Sequence, residues 1–186
     1  MNNTKFNLDN VKKLTKLESE LDLNMAQALA GKLRWMAKED ASLVEVRKHL
    51  KSLIKTYEKE HWSDDAVISD DQIDESYKAE HLVALHSQFI TLRKDAIQKA
   101  LKKNGLKQKD LAVLLGHRAS YMSELMNGLM PFSKEDIVVL YRLFEIEFDV
   151  LMDPFIKMAT RDRITVALER LNKPQLKLRE RDLFPA

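Results

Sequence analysis

Only four glycines and four prolines interrupt 186 residues, and that scarcity limits what the chain can become. Glycine supplies the left-handed backbone of tight turns and phosphate-cradling loops, and with proline it bounds strands. A chain so poor in both lacks the punctuation for a sheet of many short strands, so helices are predicted throughout. Hydrophobic residues make up 45% of the sequence, enough to bury a core in one large domain or two small ones.

The apolar spacing agrees with a helical reading. Leu8, Val11, Leu14, Leu17 and Leu21 recur at intervals of three and four, the stripe of one amphipathic helix over 8–21, and residues 25–37 continue in that style. Asp40 is expected to cap a further helix carrying Leu43, Val46, Leu50, Leu53, Ile54 and Tyr57. Short helices of this kind pack as a small bundle, on themselves or with a second copy. The acidic stretch from Ser63 to Asp71 reads as a linker. From Asp70, the stripe Ile73, Tyr77, Leu82, Leu85, Phe89, Leu92, Ile97 and Leu101 fits one long helix or two, stopped at Asn104-Gly105.

Beyond Gly105 the stops become regular. Lys107 to Leu115 reads as a short helix ended by Gly116, and Arg118 to Met126 as a second ended by Asn127-Gly128. Ser133, three residues before Asp136, opens a third as a capping arrangement, with Ile137, Leu140, Tyr141 and Phe144 on its apolar side. Phe148 to Met152 follows, stopped by Asp153-Pro154, and one more helix is expected from Arg161 to Leu171 before a basic stretch at 174–181.

Charge is segregated along the chain although the net formal charge is only +2. Seven acids face one lysine between His61 and Glu80, eight cations face two acids between Arg93 and Arg118, and six acids face two cations between 133 and 153. A basic zone between acidic ones gives a polarised surface, not a uniformly sticky one. The expected organisation is a helical N-terminal region at 1–62 for dimerisation or partner binding, and an acidic linker with a connecting helix at 63–87. A compact helical domain at 88–154, holding the basic zone, and a C-terminal helix with a basic tail at 155–186 complete it.

Two short helices crossing near a right angle need a residue tolerant of positive φ between them and a small residue at the crossing. Gly116 and Ala112 meet those needs, and Leu111, Leu115, Met122 and Leu125 are the apolar residues that lock the pair. Arg118, Ala119, Ser120, Ser123 and Glu124 are left on the outer face, short or polar, where the second helix's N-terminal amides attract phosphate. Gln108 opens the first helix in the same way.

The run Gly105-Leu106-Lys107-Gln108-Lys109-Asp110-Leu111-Ala112, with Leu115-Gly116 and then Tyr121-Met122-Ser123-Glu124-Leu125-Met126-Asn127-Gly128, resembles the Xre/Cro-like helix-turn-helix family. Within that family it is most similar to HigA-type antitoxins, whose pattern reads G-L-T-Q-K-D-L-A, then L-G, then V-S-E-V-L-N-G. The resemblance spans about a third of the chain. It implies an all-α chain in which an N-terminal helical segment precedes a five-helix lambda-repressor-like domain and a C-terminal helical tail. It further implies a homodimer on a palindromic operator in double-stranded DNA, repression of its own operon, and pairing with a small basic mRNA-cleaving toxin. A stand-alone Xre-family regulator is the alternative.

Carried over by position, Gln108 contacts phosphate, Arg118 a phosphate or a base, and Ala119, Ser120, Ser123 and Glu124 face the groove. Many relatives carry long amides or arginines where Ala119 and Ser120 stand, so reading here falls to Arg118, Tyr121 and DNA shape. Lys107 and Asn127 complete the expected DNA-binding set.

Other signals point elsewhere. His81 and His86 are five residues apart, on different sides of a helix, and with no cysteine in the chain neither a metal site nor a cofactor is expected. Both are expected as solvated or capping histidines. His117, in the turn, suits a backbone hydrogen bond or a phosphate contact. Trp35 and Trp62 suit partial core or an interface. No nucleophile elbow or Gly-rich loop is present, so a non-enzyme is expected; a nuclease built on Glu80, His81 and His86 has spacing alone behind it. There is no charged-then-apolar leader and no apolar run of bilayer length, so a cytoplasmic protein off the membrane is expected.

Overall fold

A computed structural model describes residues 5–38, 40–63, 68–156, 158–173, 175, 176 and 178. Among them the chain is all-helical: α1 Leu8–Val11, α2 Glu20–Met36, α3 Leu43–His61, α4 Asp70–Lys103, α5 Gln108–Leu114, α6 Ala119–Met126, α7 Lys134–Phe144, α8 Phe148–Leu151 and α9 Met158–Arg170. Most of the basic stretch at 174–181 and the middle of the acidic linker, residues 64–67, lie outside the described residues. None of the described helices is long and apolar enough to cross a membrane. The chain divides into two compact units, one ending at Gln88 and one beginning at Phe89, with α4 contributing to both.

In the first unit α2 and α3 pack along their length, and α1 lies against α3. Leu23, Ala26, Leu29 and Leu33 of α2 are buried, as are Val46, Leu50, Leu53 and Tyr57 of α3. Each fully buried leucine contributes about 1.5–3 kcal/mol relative to an exposed one. A second tie is polar. The buried Glu20 carboxylate accepts from the Tyr57 hydroxyl at 3.1 Å and from Trp62 Nε1 at 2.9 Å through one oxygen, Oε1.

Two expectations for this unit need correction. The stripe at 8–21 is not one helix: α1 ends at Val11, and Ser19 starts α2 by accepting the Asp22 amide at 3.2 Å. The intervening backbone is held from outside, since His49 Nε2 lies 2.9 Å from the Leu14 carbonyl, and Leu17 is buried without being helical. Asp40 does not cap α3 directly. Its Oδ1 accepts from the Ser42 amide at 2.9 Å and hydroxyl at 2.7 Å, and Ser42 is the N-cap. The Asp40 side chain therefore shapes the entry one turn upstream of the helix it was expected to cap.

The stripe after Asp70 forms a single 34-residue helix. Its buried face is not the expected one throughout, because Tyr77 is 67% and Leu92 49% exposed while Ala79, Val83 and His86 are buried. His86 is thus no solvated histidine. Arg93 is likewise withdrawn from the basic zone: it is buried, its guanidinium carbon lying 5.1 Å from the Phe89 ring centre and 5.0 Å from that of Phe132. Those two rings offer their π faces to the cation, which is what makes its burial tolerable. Burial, partly offset by Asp153, pulls its pKa down to about 10.

The second unit packs α4 through α8 around one core of Ile97, Leu101, Leu111, Ala112, Met122, Leu125, Met126, Phe132, Leu140, Ile146 and Leu151. Three of its turns use glycines at positive φ: Gly105 at 68°, Gly116 at 69° and Gly128 at 70°. The fourth uses Glu145 in the left-handed region at 56° to end α7, a position where glycine is the usual choice. Ser133 opens α7 reciprocally, its hydroxyl accepting the Asp136 amide at 3.0 Å and its own amide donating to Asp136 Oδ2 at 2.9 Å.

Candidate nucleic-acid interface

α5 and α6 are short, adjacent and packed on each other. Leu111, Ala112, Met122, Leu125 and Met126 bury the facing sides, and Leu115 and Tyr121 pack at the margin. That fixes which sides of the two helices remain outward. Residues 115–118 connect them, and the positive φ of Gly116 reverses the chain while the His117 amide donates to the Ala112 carbonyl at 2.8 Å.

α6 begins at an extended Arg118, with φ −72° and ψ 150°, whose own side chain makes no capping bond. The first amides of a helix lack intrahelical acceptors, so its start presents donors and partial positive charge. Arg118, Ala119 and Ser120 are all exposed there. At the start of α5 the Lys107 amide donates to Asp110 Oδ2 at 2.8 Å; Lys107 is exposed and Gln108 half-buried. Lys99, Lys102, Lys103 and Lys109 are exposed as well, so the second unit keeps a cationic surface after the loss of Arg93 to the core.

The remaining expected residues are half-buried along α6. Ala119 and Ser123, and Ser120 and Glu124, stand four apart and so share the outer face. Tyr121 sets its ring edge-on to His117, with centres 5.1 Å apart. Asn127 is engaged: its amide donates to the Ser123 carbonyl at 2.8 Å and its oxygen accepts from Lys94 Nζ at 2.8 Å. That ties the end of α6 to α4. His117, expected to use a backbone bond or a phosphate, directs its side chain to Asp136 Oδ1, 2.9 Å away.

The sequence reading missed the anchoring roles of Asp136 and Arg93. Arg93 stands four residues from both Phe89 and Ile97, and that spacing within an apolar stripe was a usable signal. Asp136 was legible as a cap but not as the partner of a side chain 19 residues away. Glu80 and His81 are exposed while His86 is buried, so these three do not share a surface. No protein-family model, no curated protein and no solved structure matches the chain.

Proposed function

We propose that the unit from Phe89 onward is a helix-turn-helix DNA-binding domain of the Xre/Cro-like kind, in which α6 enters the major groove. The chain then acts as a repressor of its own operon. The observation that carries the reading is the exposed start of α6: Arg118, Ala119 and Ser120 are exposed on a helix whose other side, Met122, Leu125 and Met126, is locked in the core. Compact side chains let a helix end approach base edges, the first-turn amides attract phosphate, and Arg118 is the residue type suited to either a phosphate or a guanine. The exposed lysines of the same unit supply sequence-independent attraction, each neutralised phosphate adding about 0.9 to the salt slope.

In this reading a homodimer sets two α6 helices about 34 Å apart on one face of a palindromic operator. Its partner, for a HigA-type antitoxin, is a small basic toxin encoded alongside. Gel-shift titration on the upstream region tests the DNA step. Arg118→Ala with Ser120→Ala is expected to weaken binding at least tenfold, about 1.4 kcal/mol. Unchanged affinity rejects this face. Co-purification with the product of the adjacent reading frame tests the antitoxin step separately.

A further inference from the structure

α2 and α3 leave an open cleft of about 730 Å³ between them, on the first unit and made entirely of its residues. Arg34 enters from α2, and Arg47, Lys48, Lys51 and Lys55 from α3; Glu58 is the single acid of the lining. Five cations against one acid leave the cleft at a formal +4. Glu58 is already engaged, accepting from Gln27 Nε2 at 3.0 Å, and Lys48 is paired with Glu45 outside the cleft at 2.8 Å. Arg47, Lys51 and Lys55 repeat every fourth residue, so they rise along one side of α3 at steps of about 6 Å.

Two further observations separate this cleft from an ordinary solvated helix face. Arg47 Nε is buried without a hydrogen-bond partner among the described residues, and an unsatisfied buried donor costs about 1–3 kcal/mol. Gly31 stands mid-helix in the cleft wall, where glycine costs about 1 kcal/mol relative to alanine. Its φ is ordinary, and a Cβ placed on it meets no atom within 4 Å. Packing does not require the glycine, and the room above it belongs to the cleft.

We infer that this cleft binds a compact polyphosphate anion, a chain of two or more phosphates free or on a nucleoside. The volume lies within the range of small-ligand sites, on the order of 300–1,000 Å³. Phosphates concentrate negative charge, about 1.5–2 per terminal group, where a carboxylate brings one. A guanidinium fork meets phosphate oxygens in a paired geometry, and Arg34 and Arg47 each bring one to the lining of the cleft. A nucleic-acid strand fits less well, because the lining offers no aromatic ring on which bases could stack.

Calorimetric titration of the full chain with inorganic tripolyphosphate and with adenosine triphosphate, in low salt without magnesium, tests this. Saturable binding of both is expected, and tighter binding of the nucleotide assigns the nucleoside to the Ala30 and Ile54 floor. Arg47→Gln and the exposed Lys51→Gln are each expected to lower affinity about tenfold. Gly31→Leu fills the open space and is expected to abolish binding while thermal unfolding shows a folded chain. Absence of saturable heat up to about 1 mM ligand overturns the inference. So does affinity unmoved by Gly31→Leu and Lys51→Gln, or saturation by only a glutamate-rich peptide or a DNA oligonucleotide.

Discussion

Asp136 Oδ1 and His117 Nε2 lie 2.9 Å apart, joining the start of α7 to the turn between α5 and α6. The same carboxylate closes the capping box with Ser133 through its other oxygen, and it is buried. One side chain thus fixes a helix start and the bend that sets α6.

Removing it should cost more than an ordinary cap. Asp136→Ala loses the bond its Oδ2 accepts from the Ser133 amide and the His117 contact through Oδ1, so a loss of about 2–4 kcal/mol in denaturant unfolding is expected. Ser133→Ala, which leaves the His117 contact in place, should lose about 1 kcal/mol. Equal losses for the two variants would mean that the His117 contact adds nothing.

The glycines of the second unit predict graded costs. Gly116 and Gly128 share a left-handed φ, which costs a residue with a Cβ about 1–2 kcal/mol. At Gly116 a Cβ meets nothing within 4 Å, whereas at Gly128 it falls 2.8 Å from Ile90 Cδ1 and 2.9 Å from its Cγ2. Gly128→Ala should therefore destabilise by more than Gly116→Ala, and adding Ile90→Ala should cost Gly128→Ala less than it costs the native chain. Additive effects in that double-mutant cycle would show the close approach to be inconsequential.

These contrasts also show what a sequence yields. The stops at Gly105, Gly116 and Gly128 and the Ser133 box were legible because each is local chemistry, a dihedral or a bond within three residues. The stop at Glu145 was not, since nothing in a glutamate signals a left-handed φ. The apolar run from Leu8 to Leu21 misled because burial, not helicity, is what its spacing reports: Leu17 is buried outside any helix. Links across 37 and 42 residues, from Glu20 to Tyr57 and Trp62, leave no periodic trace. For the interface, the exposed start of α6 followed from the apolar pattern opposite it. The engagement of Asn127 by Lys94 did not, because it depends on how α4 and α6 are juxtaposed.

Arg93 is held by packing more than by charge. With its guanidinium between two rings and buried, truncation leaves a cavity as well as two lost ring contacts, and Arg93→Ala is expected to lose about 3 kcal/mol. Arg93→Met keeps most of the volume and removes the desolvated cation, so it should stay within about 1 kcal/mol of the native chain. A methionine variant as unstable as the alanine one would assign the stabilisation to the charge. Urea unfolding at neutral pH decides between them.

Tyr57 makes the first unit sensitive to alkali. Burial, and then the neighbouring Glu20 carboxylate, push its phenol well above the ordinary 10.0. The folded chain therefore keeps this proton after the unfolded chain has begun to lose it. Stability from the pair is fully present below pH 10 and declines as pH rises beyond it, because the unfolded state ionises first. Tyr57→Phe lacks the hydroxyl that donates to Glu20, so at neutral pH it should be less stable by about 1.5–3 kcal/mol, the worth of a bond to a charged acceptor. Between about pH 9 and about pH 11 the native chain should lose stability faster than the phenylalanine variant, and the gap between their urea midpoints should narrow. Curves that stay parallel across that window would show that the Tyr57 proton is not linked to folding.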